Sequence, residues 1–332
     1  MKVMVTGGNG FLGGRLAARL AREGHEVYSV QRSDPAVIQK HEAITYMQAD
    51  LSDRDSMLPC FKGIEAVFHV AALTGVWGAR EEFYSANVTA TENVIEACRQ
   101  HGIRRLIYTS TPSVVFTGEP IQGWDESAPY GENWLCNYAE TKSIAEAMVL
   151  SPDYAEDFDA VALRPHLIWG DKDPHLLPRL VNRARAGELK IVGDGTNKVD
   201  LTHVENATQG HICAFRIMQE SPEKVRGKAY FISDGEPVVL WDWINNLLER
   251  LDIDPVTQSI SFNKAYRAAG LMEFFYRLLG LDSEPPMTRF VATELAKDHY
   301  FDISAAKKDL RYRSIINNQT ALDKLVEYLN SF

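Results

Sequence analysis

Val3-Met4-Val5-Thr6-Gly7-Gly8-Asn9-Gly10-Phe11-Leu12-Gly13 opens the chain and decides its fold. The apolar run ending at Val5 reads as a short buried strand, and the periodic residues from Leu12 to Glu23 read as the helix that follows it. Glycines at 7, 10 and 13 let the backbone turn tightly and approach a pyrophosphate, while the first turn of the helix offers free N–H groups and the positive end of its dipole. Its place between a strand and a helix separates this run from an ordinary glycine turn. Gly7, Gly10, Phe11, Leu12 and Gly13 are therefore the expected cradle of a dinucleotide.

The same alternation continues downstream. Val27 to Val30, Ala66 to Val70, Arg105 to Thr109 and Ala160 to Arg164 read as strands, and Ala86 to Gln100 reads as a helix. This is the pattern of an α/β protein with a Rossmann-type doubly wound parallel sheet, whose ligand lies along one sheet edge. After Gly170 the pattern changes to Asp173-Pro174 and Leu177-Pro178 loops, a helix near Leu180 to Ala186 and a Gly193-Asp194-Gly195 turn. The expected division is a dinucleotide-binding domain at 1–170, rejoined by the chain near 198–216 and 228–234, and a smaller, mostly helical substrate-binding region at 171–332. No repeat or low-complexity linker separates the two. Residues 264–281 place Ala268, Leu271, Met272, Phe275, Leu278 and Leu279 on one helical face, with Tyr266 and Phe274 beside it. The expected role of that stripe is packing on the core or on a second subunit; a lid over an apolar substrate and a membrane-surface contact are the other readings.

With 332 residues the chain can bury a substantial core. Its 35 basic and 45 acidic side chains give a net charge of −10, which argues against a surface that tracks nucleic-acid phosphates. Cys60, Cys98, Cys136 and Cys213 form no CxxC pair, so neither a zinc site nor a disulfide framework is expected. The chain runs from Met1 into the glycine loop without a charged leader, and no stretch approaches the ~18 apolar residues of a membrane span. A reduced, cytoplasmic protein is expected. His166, His175 and His203 show no ligand spacing and are read as packing or substrate-facing residues, with no metal.

Coenzyme choice is read at the end of the second strand, where an acid usually meets the ribose hydroxyls of NAD. Here the residues are Gln31 and Arg32. An arginine there pairs with a 2′-phosphate in a forked, charge-assisted geometry, so NADP(H) is expected in preference to NAD(H), which is not excluded. Asp50 and Leu51 are placed to reach the adenine, and Ala71 and Ala72, after His69-Val70, to line the phosphate and nicotinamide approach; strand-end packing is the other reading of both.

Tyr138-Ala-Glu-Thr-Lys142 is the second informative stretch. Residues four apart on a helix share a face, so Tyr138 and Lys142 act on one group. A phenol ordinarily titrates near ~10, too high for ready proton exchange. A nearby ammonium and a bound nicotinamide ring are expected to pull it down, making Tyr138 a proton donor to a carbonyl and Lys142 its tuner and a partner of the nicotinamide ribose, so both also count among the expected cofactor-binding residues. Tyr108-Thr109-Ser110-Thr111-Pro112-Ser113 ends a strand at the ligand edge; Thr111 is the expected carbonyl-orienting hydroxyl, with Ser110 and Ser113 as neighbours.

These motifs, together with Asn87-Val88 and Leu163-Arg164-Pro165, resemble the extended short-chain dehydrogenase/reductase superfamily and, within it, the 3β-hydroxysteroid dehydrogenase-like branch. The resemblance implies a catalytic set carried onto Asn87, Thr111, Tyr138 and Lys142, with Thr111 where the family more often has Ser, and it places Pro165 among the cofactor-binding residues. The stretches from Leu163 to Leu180, Trp241 to Asn245 and Glu284 to Phe290 look like the bacterial 2-alkyl-3-oxoalkanoate reductases of long-chain olefin biosynthesis. That likeness implies an NADP(H)-dependent reduction of a long-chain β-keto acid to its 3-hydroxy acid.

Arg179 is the candidate partner for an acidic head group, a surface or capping role being its other reading. The alternatives are a 3β-hydroxysteroid or sterol substrate, a nucleotide-sugar epimerase or dehydratase, and a non-catalytic NADP(H)-binding sensor or scaffold. The family further implies a homodimer built on the helices flanking Tyr138, and the olefin-pathway likeness implies assembly with other pathway enzymes.

Overall fold

A computed structural model describes residues 1–36, 40–154, 158–174 and 176–329. Seven strands form the central sheet: β1 (Lys2–Thr6), β2 (Glu26–Gln31), β3 (Ile44–Gln48), β4 (Ala66–His69), β5 (Arg105–Thr109), β6 (Asp159–Pro165) and β7 (Lys228–Ile232). Their spatial order is β7-β6-β5-β4-β1-β2-β3, and every pair is parallel. The order reverses between β1 and β4, which opens a crevice beyond the carboxyl ends of those two strands.

Strand alternation builds a core on each face of the sheet. Val3 and Val5 point to one side, where they meet Leu16 and Leu20 of α1 (Phe11–Arg22) and Ile212 and Phe215 of a helix at Val204–Glu220. Met4 points to the other and packs with Val94 and Cys98 of the helix Ala90–His101 and with Ala145 and Val149 of the helix Asn137–Val149. Leu16, Leu20 and Val94 are wholly buried, each worth about 1.5–3 kcal/mol of apolar transfer. All four cysteines are buried and unpaired.

A third core belongs to the C-terminal region, where Trp169, Trp241, Trp243, Leu247 and Leu248 pack with Leu322 and Leu325. A four-stranded sheet stitches this region back to the first: His299–Phe301 pairs with Ile121–Trp124 and with Val199 of the strand Lys198–Val199. The helix expected near Leu180 runs Leu176–Arg185.

The apolar stripe does not pack on the core as expected. In α2 (Phe262–Leu278), the buried residues are Ala265, Ala269 and Glu273, and Glu273 pairs with Arg289 at 2.8 Å. Two alanines and an internally neutralised acid let this face sit close against the neighbouring helix Arg289–Glu294, and the bulky residues are turned outward. No helix among the described residues is long and apolar enough to cross a membrane.

Candidate active site

A cleft of about 1540 Å³ runs along the carboxyl edge of the sheet. That exceeds the ~300–1,000 Å³ of a pocket for one drug-sized ligand and leaves room for a dinucleotide and a second molecule. At one end, Gly7 has φ +67°, its N–H donates to the Val30 carbonyl at 2.7 Å, and its own carbonyl accepts from Gly10 N–H at 2.9 Å. A Cβ on Gly7 would stand 3.0 Å from the Ala71 Cα, and one on Gly13 would run into the Gly7 carbonyl. Gly10 caps α1 with no side chain over the helix end, so the first-turn N–H groups face the cleft beside Phe11 and Leu12. A cradle of this shape, stripped of Cβ atoms and ending in free N–H donors, fits a pyrophosphate.

The residues expected at the adenosine end also line the cleft. Gln31 is buried, with its Oε1 accepting from the Ser29 hydroxyl at 2.6 Å and its Nε2 without a protein partner. Arg32 is exposed beside it. Burial acts to raise the Asp50 carboxyl, but the Ser52 hydroxyl and amide and the Arg32 cation outweigh that and hold it below its ordinary value. Leu51 completes this wall, Pro165 at the end of β6 lines the cleft on the far side of β4, and Ala71 and Ala72 follow β4 along its middle. His69 lies behind it: its ring bridges Thr6 Oγ1 at 2.8 Å and Thr91 Oγ1 at 3.0 Å, and burial pulls its pKa down to about 3. The same Thr6 hydroxyl accepts from Val70 and Ala71 N–H, so this network fixes the strand end under the cradle.

At the other end stand Tyr138 and Lys142, on the first two turns of the helix Asn137–Val149. Lys142 is almost wholly buried; its ammonium donates to the Thr109 carbonyl at 2.7 Å and sits 4.1 Å from the centre of the Tyr108 ring. Burial pulls its pKa down to about 7, against the opposing charge of Glu146 one turn further on. The expected lowering of the Tyr138 phenol includes the charge of a bound nicotinamide ring. Burial pushes the phenol up to about 12, and the Thr111 hydroxyl beside it offsets only part of that, because the Lys142 ammonium is directed to the strand carbonyl. Thr111 lines the cleft beside Tyr138, and its Oγ1 accepts from Ser113 N–H at 3.2 Å. Ser110 also lines the cleft, with a buried hydroxyl that has no protein partner. Ser113 is outside the lining and is held by Thr111.

Asn87 does not reach the cleft. It sits in a π-helical stretch, Tyr84–Thr89, that precedes the helix Ala90–His101. Its Oδ1 accepts from Leu73 N–H at 2.8 Å, and its Nδ2 donates to the Leu73 carbonyl and to Thr141 Oγ1, both at 3.1 Å. It therefore ties the cleft loop at Leu73 to the residue next to Lys142. The regular helix expected over 86–100 would not show this; the extra residue of a π turn re-aims the side chain.

Two further features were not visible in the motifs. Glu146 and Arg164 form a buried ion pair at 2.5 Å, with the Tyr130 hydroxyl donating to the same carboxylate at 2.9 Å. Spacing offered one signal, since Glu146 follows Lys142 by four residues. Arg179, the candidate head-group partner, lines the cleft already paired with Glu284 at 2.6 Å.

Of the histidines, His203 caps the helix Val204–Glu220 by accepting from Glu205 N–H, and burial lowers it to about 4. His166 shares a hydrogen bond of 2.6 Å with His299, near Glu294. Two nitrogens on one ion at ~2.0–2.1 Å in tetrahedral geometry stand farther apart than that. The pair is a hydrogen bond, not a ligand set. His175 lies outside the described residues.

A glycine cradle at a Rossmann switch point and a tyrosine–lysine pair at the far end of the same cleft define an extended short-chain dehydrogenase/reductase, an NAD(P)-dependent oxidoreductase. The family model of the 3-beta hydroxysteroid dehydrogenase/isomerase family matches residues 4–263, and the chain belongs to that family. It is 43% identical over 327 residues to a 2-alkyl-3-oxoalkanoate reductase of Stenotrophomonas maltophilia, covering 98% of both chains. To a mouse (Mus musculus) sterol-4-alpha-carboxylate 3-dehydrogenase, decarboxylating, it is 33% identical, covering 98% of this chain and 90% of the other. The solved structure of MoeE5 in complex with UDP-glucose and NAD shares the fold, with a TM-score of 0.75, 24% identity and coverage of 100% of this chain and 99% of that one. Relatives named for reduction and for dehydrogenation agree on a reductase/dehydrogenase role.

Proposed function

We propose that the protein reduces a 2-alkyl-3-oxoalkanoate to the 2-alkyl-3-hydroxyalkanoate with NADPH. The observation that carries this reading is the convergence of Tyr138, Thr111 and Lys142 at one end of a cleft whose other end is the glycine cradle. The reduced nicotinamide, when bound, supplies hydride to the carbonyl carbon. Tyr138 then gives its phenol proton to the carbonyl oxygen, which keeps that oxygen from carrying a buried negative charge. Burial keeps the phenol protonated at neutral pH, and a neighbouring cation eases the release of that proton. Lys142, one helical turn away, supplies the positive charge that steadies the phenolate left behind. Thr111 positions the oxygen, and the partnerless Ser110 hydroxyl next to it is a second donor. Asn87 serves as a positioning residue, through Leu73 and Thr141.

The relative named 2-alkyl-3-oxoalkanoate reductase supports the substrate class by its identity over nearly the whole chain. NADPH over NADH rests on Arg32 standing where no acid is present to meet a ribose hydroxyl. The test is NADPH oxidation measured side by side with 2-alkyl-3-oxo acids, 3-ketosteroids and nucleotide sugars. Turnover of the first is expected. Turnover confined to 3-ketosteroids would replace the substrate, and turnover confined to nucleotide sugars would overturn the reading.

A further inference from the structure

The outward face of α2 presents Leu271, Phe274, Phe275, Leu278 and Leu279 to solvent, each between 47% and 66% exposed. Scattered exposed leucines need no explanation, but five on one face of a single helix do. The charges that the helix itself turns outward are basic, although Asp282 is exposed just beyond its C-terminal end. Lys264 and Arg267 lie on the same outward face toward the N-terminal end of the helix, and Arg277 lies at its border, over the Trp77 ring at 5.4 Å. None of the three is in an ion pair among the described residues. The one acid of the helix, Glu273, is turned inward and neutralised by Arg289. This basic and apolar face stands on a chain whose net charge is −10.

We infer that α2 seats the protein on an anionic lipid bilayer surface. An interfacial helix has large apolar side chains on one side and lysine or arginine beside them, the former entering the acyl boundary and the latter meeting lipid phosphates. The apolar residues occupy the C-terminal half of the outward face and the cations its N-terminal half, so the helix dips at one end while Lys264 and Arg267 stay at the headgroups. A second copy of the chain fits the face less well. An isologous contact would bring Lys264 and Arg267 against the same residues of the copy, with no exposed acid on the helix to answer them.

The location gives this surface a purpose. A second cavity of about 640 Å³ has a mixed lining, with Trp77, Trp134 and Tyr276 against Glu82, Glu140 and Asp282, and it reaches Cys136, which caps the helix carrying Tyr138. Trp77 joins the two through its edge contact with Tyr276, centroids 6.2 Å apart. The bilayer-facing end of α2 thus lies next to a cavity beside the helix that carries Tyr138. Seating on lipid does not depend on the reductase reading above.

Flotation tests the inference without any activity measurement. Native protein is mixed with phosphatidylcholine vesicles with and without phosphatidylglycerol, alongside the double variants Phe274→Ser/Leu278→Ser and Lys264→Glu/Arg267→Glu. The native protein is expected to float with the anionic vesicles, and each variant, with unchanged circular dichroism, to lose about tenfold in bound fraction. A native protein that stays unbound, or a Phe274→Ser/Leu278→Ser variant that floats like the native one, overturns the inference. Light scattering that shows a native dimer split by Phe274→Ser/Leu278→Ser, without vesicle binding, gives the face to a second copy and overturns it too.

Discussion

The Lys142 ammonium donates to the carbonyl oxygen of Thr109 at 2.7 Å, and no hydrogen bond joins it to Tyr138. The helix that carries Tyr138 is thereby anchored to the end of β5 through the residue that the sequence marks as the tuner of the phenol. Burial lowers the Lys142 pKa to about 7 from an ordinary 10.5.

A stability signature follows from that depression. Below pH about 7 folded and unfolded chains both hold the proton, and the cost of the buried charge is fully present. Between about 7 and 10.5 the unfolded chain binds a proton that the folded one has released, so stability rises with pH, by at most about 1.4 kcal/mol per unit. Urea unfolding of the nucleotide-free protein at pH 7 and pH 9, for native and Lys142→Met, should show the native gaining up to about 2 kcal/mol on the variant. An unchanged difference would mean that Lys142 titrates at its ordinary value.

Tyr138→Phe removes one hydroxyl at the cleft wall and leaves the ring. We expect kcat for ketone reduction to fall about 10²–10⁴-fold, with nucleotide affinity within a few-fold of native. Steady-state NADPH oxidation and fluorescence titration read the two quantities. A variant that reduces the ketone at the native rate would remove Tyr138 as the acid.

Asn87→Ala leaves the N–H and carbonyl of Leu73 without their partner and frees Thr141 from the π turn. The expected cost is about 1–3 kcal/mol of unfolding free energy. Because Asn87 acts through Leu73 and Thr141, the pH profile of kcat should keep its shape while its height falls. A shifted profile would instead place the amide in contact with the titrating groups.

Arg32→Ala separates the two coenzymes. Loss of a charge-assisted contact with a 2′-phosphate, about 1.5–3 kcal/mol, should weaken NADP(H) binding roughly tenfold to a hundredfold and leave NAD(H) unchanged. Equal weakening of both would reduce Arg32 to a general contribution to the cleft's potential.

The glycine cradle, the strands β1, β2, β4, β5 and β6 and the Tyr138–Lys142 face were legible in the sequence, whereas the residues of the edge strand β3 were not. Each rests on a local rule: strand alternation, helical periodicity, or a glycine between the two. Even the departures keep that character, since residues 264–281 do form most of one amphipathic helix. Periodicity says which residues share a face; it does not say which way the face points. The turning outward of Leu271, Phe274 and Leu278 was decided by Ala265, Ala269 and the Glu273–Arg289 pair, which claim the inner side.

The rest depended on tertiary structure because the partners are remote in the chain. Arg164 meets Glu146 across 18 residues, and His166 meets His299 across 133. Asn87 is aimed at Leu73 and Thr141 by a π turn that no spacing rule announces. The four-stranded sheet joins Ile121–Trp124 to His299–Phe301, pieces too short to declare themselves as strands. The sequence alone marked the candidate dinucleotide cradle and the candidate proton donor, because both patterns are set by neighbours within one or two turns of backbone. Packing decided which charges are neutralised, which hydroxyl lacks a partner and which helix faces outward, because burial and pairing are properties of the whole fold.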